Sequence, residues 1–294
     1  MRIANCTGRL TLLDPAAGPG EPRGLDVERA SSGRFAANPQ AVYPRWAEFR
    51  EWAASASFDD AAPVDPDHLE AVTPRPPQVF AVGLNYRDHA AESGFELPTR
   101  PLVLTKYASS FTGPRGDIQL SPGNVDWEVE LVAVVAVGGR DIPASAGWEH
   151  VAGLTLGQDI SDRVTQFAAP PAQFGMGKSY PGFSPVGPHL VTVDELRTAG
   201  LDPDDLELGC LVNGEDVQKS RTSAMIFPVP ALIAELSTIV TLLPGDVLFT
   251  GTPSGIGASR TPPRFLAAGD ELLTWCAGIG QMQHRFVDRE GTPS

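Results

Sequence analysis

The sequence predicts an α+β fold that is predominantly β, and three observations carry this. Short runs of β-branched and apolar residues recur along the chain, among them Arg9–Leu13, Val79–Leu84, Leu102–Phe111, Asp126–Val135 and Val247–Thr250. The 294 residues include 28 prolines and 30 glycines, the punctuation of a loop-rich β architecture. Helical spacing of apolar residues is carried by few segments, chiefly Arg45–Ala53 and the stretch Val229, Leu232, Ile233, Leu236, Ile239 and Val240.

Composition narrows the function. With 42% hydrophobic and 20% charged residues the chain reads as an ordinary globular protein, long enough to bury a substantial core. A net charge of −14 disfavours nucleic acid, which needs clustered Lys and Arg, and an anionic membrane surface. No run of eighteen apolar residues predicts a membrane-spanning helix, and Met1–Cys6 lacks the apolar core of a signal peptide. Cys6, Cys210 and Cys276 are odd in number and far apart. They fit reduced thiols in a cytoplasm, with neither a disulfide framework nor a Cys-ligated zinc.

In order, residues 1–72 read as a small N-terminal domain, with a strand at Arg9–Leu13, a turn region at Pro15–Pro22 and a helix whose Trp46 and Trp52 are packing residues. A Pro-, Asp- and Ala-rich stretch ends in a linker at 73–77, and a larger second domain is expected over 78–294. Its first strand, Val79–Leu84, leads into Asn85-Tyr86-Arg87-Asp88-His89-Ala90-Ala91-Glu92. On a helical turn His89 and Glu92 share a face, so the carboxylate can fix the tautomer of a general base; an exposed surface pair is the plainer alternative. In Asp126–Val135, read as one strand, Glu128 and Glu130 project from the same face roughly 6–7 Å apart at Cα. Their repulsion would be relieved by Mg²⁺ or Mn²⁺, which take carboxylate oxygens; a solvated acidic strand face is the plainer alternative. Asp159 follows an apolar strand, from which its side chain can reach a shared site. Gly175–Ser179 carries Lys178 but lacks the spacing of a phosphate loop. Asn213-Gly214 marks a hairpin, and Gly251–Gly257 is a Gly-rich turn able to bring backbone N–H groups to an anion, with a plain turn the equal alternative.

Six stretches in order over about 78–287 resemble the fumarylacetoacetate hydrolase family: Val82–Glu92, Asp126–Leu131, Asp159–Ser161 with Arg163 and Gln166, Gly177–Ser179, Val212–Glu215, and Pro244–Asp246 leading to Gly251–Gly257. The chain differs from common relatives at Val164 and at Tyr180–Phe183, which puts the pocket rim in question. The resemblance implies a mixed β-roll catalytic domain, a homodimer, and one Mg²⁺ or Mn²⁺ held by Glu128, Glu130 and Asp159. It implies catalytic roles for His89 and Glu92, as a dyad on a mobile lid, and for Lys178, which opposes developing negative charge. Tyr86, Arg163, Gln166 and Thr252 match substrate-lining positions.

The resemblance further implies a small keto acid substrate. The expected reaction is hydrolysis of a carbon–carbon bond in a 2,4-dioxo acid, of the acylpyruvate or 2,4-diketo-3-deoxy sugar acid type, to pyruvate and a carboxylic acid. The alternatives are an oxaloacetate-type decarboxylase, a 2-hydroxy-dienedioate isomerase or hydratase on the same metal site, or a non-catalytic binding domain.

Overall fold

The structure is a computed structural model that describes residues 1–18, 21–92, 94 and 96–289. Pro19 and Gly20 of the expected turn region, and the end of the chain from 290, lie outside the described residues. The fold is α+β and sheet-dominated. Among the described residues twelve strands form one mixed sheet and five a second.

At the centre of the larger sheet, Val129–Val135 pairs antiparallel with Val151–Gln158 on one side and with Val247–Phe249 on the other. Val247–Phe249 pairs in parallel with Val79–Gly83, whose other neighbour, Leu102–Leu104, is the edge. The central strand is buried along its whole length, and its alternation divides the interior in two. Val129, Leu131 and Ala133 face one hydrophobic core; Val132 and Val134 face the other.

The second core explains the leading residues. Ile3, Leu10, Tyr43 and Phe49 pack in it beside Val132, Val134 and Phe249. Arg2–Cys6 pairs with Ser184–Val191, so strands from 1–72 continue the sheet of the region expected to be catalytic. The five-stranded sheet runs Glu215–Arg221, Glu207–Val212, Glu271–Cys276, Gly280–Val287, Arg115–Gln119, with the expected Asn213-Gly214 hairpin joining the first two.

Two expected elements are shorter than the sequence indicates. Of Leu102–Phe111 only Leu102–Leu104 is a continuous strand. The run Asp126–Val135 divides into Val125–Asp126 and Val129–Val135, with Trp127-Glu128 between them. There the ladder gives way to side chains: Gln158 Oε1 accepts from the Glu128 N–H and Gln218 Oε1 from the Val129 N–H, each at 2.9 Å. No helix among the described residues is long and apolar enough to cross a membrane.

Candidate metal centre and active site

The break in the strand places the acidic pair. Glu130 sits on the regular strand and Glu128 just before it. Asp159 comes from the end of the neighbouring strand, its N–H donating to the Glu128 carbonyl at 2.9 Å. One carboxylate oxygen from each of Glu128, Glu130 and Asp159 lies within 4.8 Å of the others, and all three residues are buried.

Three cations surround them. The Lys178 ammonium donates to Glu128 (2.8 Å), Asp159 (2.7 Å) and the Ser161 hydroxyl (2.9 Å). Arg163 lies 2.8 Å from Asp126 and 2.7 Å from Glu128. Lys106, wholly buried, donates to the other oxygen of Asp159 and to the carbonyls of Lys178 and Phe183. Its role escapes the sequence, where it is one Lys in an apolar run with no acidic neighbour. Lys106→Met leaves a carboxylate oxygen and two carbonyls unpaired in the interior. It should destabilise the fold by about 3 kcal/mol or more, read from denaturant unfolding.

The cations do not serve the carboxylates equally. Burial pushes the Glu128 carboxyl up, but Lys178 and Arg163 outweigh it and hold the group down at about 2. Glu130 is driven well above the usual carboxylate range by burial and by Asp159 and Glu128. Its direct partner is the Gly251 N–H, at 2.7 Å. A buried all-oxygen set with one carboxylate short of positive charge fits a hard divalent cation such as Mg²⁺ or Mn²⁺. Bound there, the ion would be held by Glu128, Glu130 and Asp159.

The Gly-rich turn does bind anions, but they are the protein's own. Gly251 N–H serves Glu130, Gly255 N–H serves Glu92 at 3.1 Å, and Gly257 and Ala258 N–H serve Asp126 at 2.7 and 2.9 Å. Asp126, fully buried, also accepts from Arg163 Nε at 2.9 Å and so ties the turn to the charged cluster. A Cβ on Gly257 would lie 1.9 Å from the Arg264 carbonyl oxygen and 2.7 Å from Asp126. Gly257→Ala should therefore cost about 1–3 kcal/mol of stability, measurable as a lower thermal midpoint.

His89 lies on the helix Arg87–Glu92, with Nδ1 3.4 Å from Glu92. The contact is long for a hydrogen bond, as catalytic contacts often are before substrate tightens them. Asn85 anchors the base of this helix, donating to the carbonyls of Thr250 (2.7 Å) and Phe227 (2.9 Å).

A cavity of about 860 Å³ joins these groups. Glu128, Asp159, Lys178, His89, Arg163, Gln166 and Thr252 all line it. Gln166 accepts from Arg163 at 3.1 Å, which leaves its buried Nε2 without a protein partner, a donor available to a ligand. Tyr86 stands apart. Its ring is 1% exposed and packs in the core, outside the lining of the cavity, while its buried hydroxyl, like Gln166 Nε2, has no protein partner.

Residues 78–287 match the profile of the fumarylacetoacetate (FAA) hydrolase C-terminal family. The chain belongs to that family. It is 44% identical over 215 residues to human mitochondrial oxaloacetate tautomerase FAHD2A, covering 72% of this chain and 67% of the relative. A structure from Mycobacterium smegmatis that carries the HpcE designation is 52% identical, with a TM-score of 0.91 over 99% of this chain and all of the other. The fumarylacetoacetate hydrolase of Exiguobacterium antarcticum is 30% identical, with a TM-score of 0.81 over 98% of this chain and all of the other. The members of this family with which it aligns thus include enzymes named for different reactions.

Proposed function

We propose that the chain is a divalent-metal enzyme acting on a 2-oxo acid through its enolate, and that it hydrolyses the C3–C4 bond of a 2,4-dioxo acid to pyruvate and a carboxylic acid. The observation that supports this reading best is that His89, backed by Glu92, shares one cavity with Lys178 and with Glu128 and Asp159, two of the three clustered carboxylates. The metal, when bound, supplies Lewis acidity toward the oxygens at C1 and C2.

The chain's own residues do the rest. Gln166 Nε2 donates to a substrate oxygen and fixes its orientation. Glu92 holds the Nδ1 edge of His89, which leaves Nε2 to take a proton from water. The water oxygen adds to C4, and the C3–C4 electron pair passes into the pyruvate enolate. Lys178, which already contacts two of the three carboxylates, opposes the negative charge that develops there. Protonation at C3 by the imidazolium gives pyruvate and restores His89.

A second reading is favoured by the 44% identical relative named oxaloacetate tautomerase. Keto–enol interconversion uses the same enolate and the same base without attack by water. Incubation with acetylpyruvate and Mn²⁺, with and without EDTA, separates the two. Hydrolysis releases acetate and pyruvate in equal amounts, and EDTA stops it. If the enol signal relaxes while no acetate forms, the chain is a tautomerase and the hydrolytic reading fails.

A further inference from the structure

The cavity has a charged floor and an apolar mouth. Its floor is made of the buried carboxylates and the cations paired to them. Its mouth carries Leu102, Val103, Phe167, Phe174 and Met176 beside the polar Tyr107 and Gln173, with Phe167 63% exposed and Met176 61%. Phe167 and Phe174 form an edge-to-face pair with ring centroids 5.3 Å apart. The residue after the edge strand and the Phe174–Gly177 helix meet closely: a Cβ on Gly175 would lie 2.7 Å from the Thr105 carbonyl oxygen.

Lys178 and Arg163 are the Lys and Arg residues among the described lining residues, and both are engaged. Lys178 directs its ammonium to Glu128, Asp159 and Ser161. Arg163 directs its guanidinium to Asp126, Glu128 and Gln166. A second carboxylate on the substrate would therefore lie among predominantly apolar side chains, without a Lys or Arg free to pair with it, on a protein of net charge −14. The volume, about 860 Å³, is in the range that encloses drug-sized ligands rather than a four-carbon diacid.

From this we infer that the substrate is a 2-oxo acid with a long apolar distal group, an alkyl- or aryl-substituted acylpyruvate, and not a dicarboxylate. The inference rests on the 2-oxo acid reading above and adds to it the chemistry of the far end.

N-alkyl oxamates test it, because they keep the C1 carboxylate and C2 carbonyl and cannot undergo C3–C4 cleavage. Binding to the full-length, Mn²⁺-loaded protein is measured by calorimetry for oxamate, its N-ethyl, N-butyl and N-hexyl derivatives, and N-(5-carboxypentyl)oxamate. Affinity is expected to rise about threefold per added methylene. The carboxylated ligand should bind at least about tenfold more weakly than the isosteric hexyl one. Phe167→Arg, which supplies the missing cation, should move that ratio at least about tenfold toward the carboxylated ligand. A series flat in chain length, or a carboxylated ligand that binds as well as the hexyl one, overturns the inference while leaving the 2-oxo acid reading intact. Failure of every oxamate, the parent included, overturns the 2-oxo acid reading and this inference with it.

Discussion

Glu130→Gln should abolish the stabilisation that Mn²⁺ confers on the protein and, with it, all turnover. The wild-type chain, saturated at a hundredfold excess over its dissociation constant, should gain about 2.7 kcal/mol from the ion. The substitution is nearly isosteric, and a Gln oxygen can still accept from the Gly251 N–H that Glu130 now uses. What changes is charge. Burial with Asp159 and Glu128 already raises Glu130 well above the ordinary carboxyl range. A carboxyl raised in the folded state costs nothing below its unfolded value, about 4.3. Above that value the unfolded chain ionises while the folded one resists, so the metal-free protein loses stability as pH rises. Glu130→Gln should remove this slope, leaving the metal-free variant as stable as the wild type in acid and more stable at neutral pH. Thermal midpoints with and without Mn²⁺ at several pH values check both halves. A variant that still gains stability from Mn²⁺ would show that Glu130 is not needed to hold the ion.

What the sequence discloses and what it hides divide along chain separation. His89 and Glu92 are legible because a period-three spacing puts them on one face of a helix, and Glu128 and Glu130 because they lie two apart in one β-like run, although the strand itself begins only at Val129. Asp159 is legible from its place at a strand end. Lys106 is not, because its partners Asp159 and the Lys178 carbonyl lie 53 and 72 residues away, and nothing local separates it from a Lys that snorkels from a surface strand. Asp126 reads as the start of a strand, yet it anchors the Gly-rich turn 131 residues on. The turn reads equally as a plain turn or as one that offers N–H groups to an anion, and periodicity cannot say that its N–H groups serve the carboxyl groups of Glu130, Glu92 and Asp126. The reach of 1–72 into the larger sheet is likewise hidden, since the pairing of Arg2–Cys6 with Ser184–Val191 spans most of the chain. Tyr86, expected from the family resemblance to line the substrate, packs in the core, and nothing local in the sequence signals that depth.

His89→Ala should lower turnover by about 10²–10⁴-fold while leaving Mn²⁺ and oxamate binding in place. The separation follows from the geometry. The triad and Lys178 are held by Arg163, Lys106 and one another, whereas the structure ties the His89 ring to Glu92. Removing the imidazole thus deletes a proton carrier without unpairing a charged group of the floor. Full activity in His89→Ala would show that another group moves the proton. A second measurement tells which proton His89 carries. Pyruvate bound at the floor can exchange its C3 hydrogens with deuterium through the same enolate, in the absence of any bond to hydrolyse. If hydrolysis falls in His89→Ala while this exchange persists, His89 acts on the attacking water, as a hydrolase requires. If both fall together, His89 also serves C3, the step that hydrolysis and tautomerisation share, as expected when the imidazole returns water's proton to the enolate.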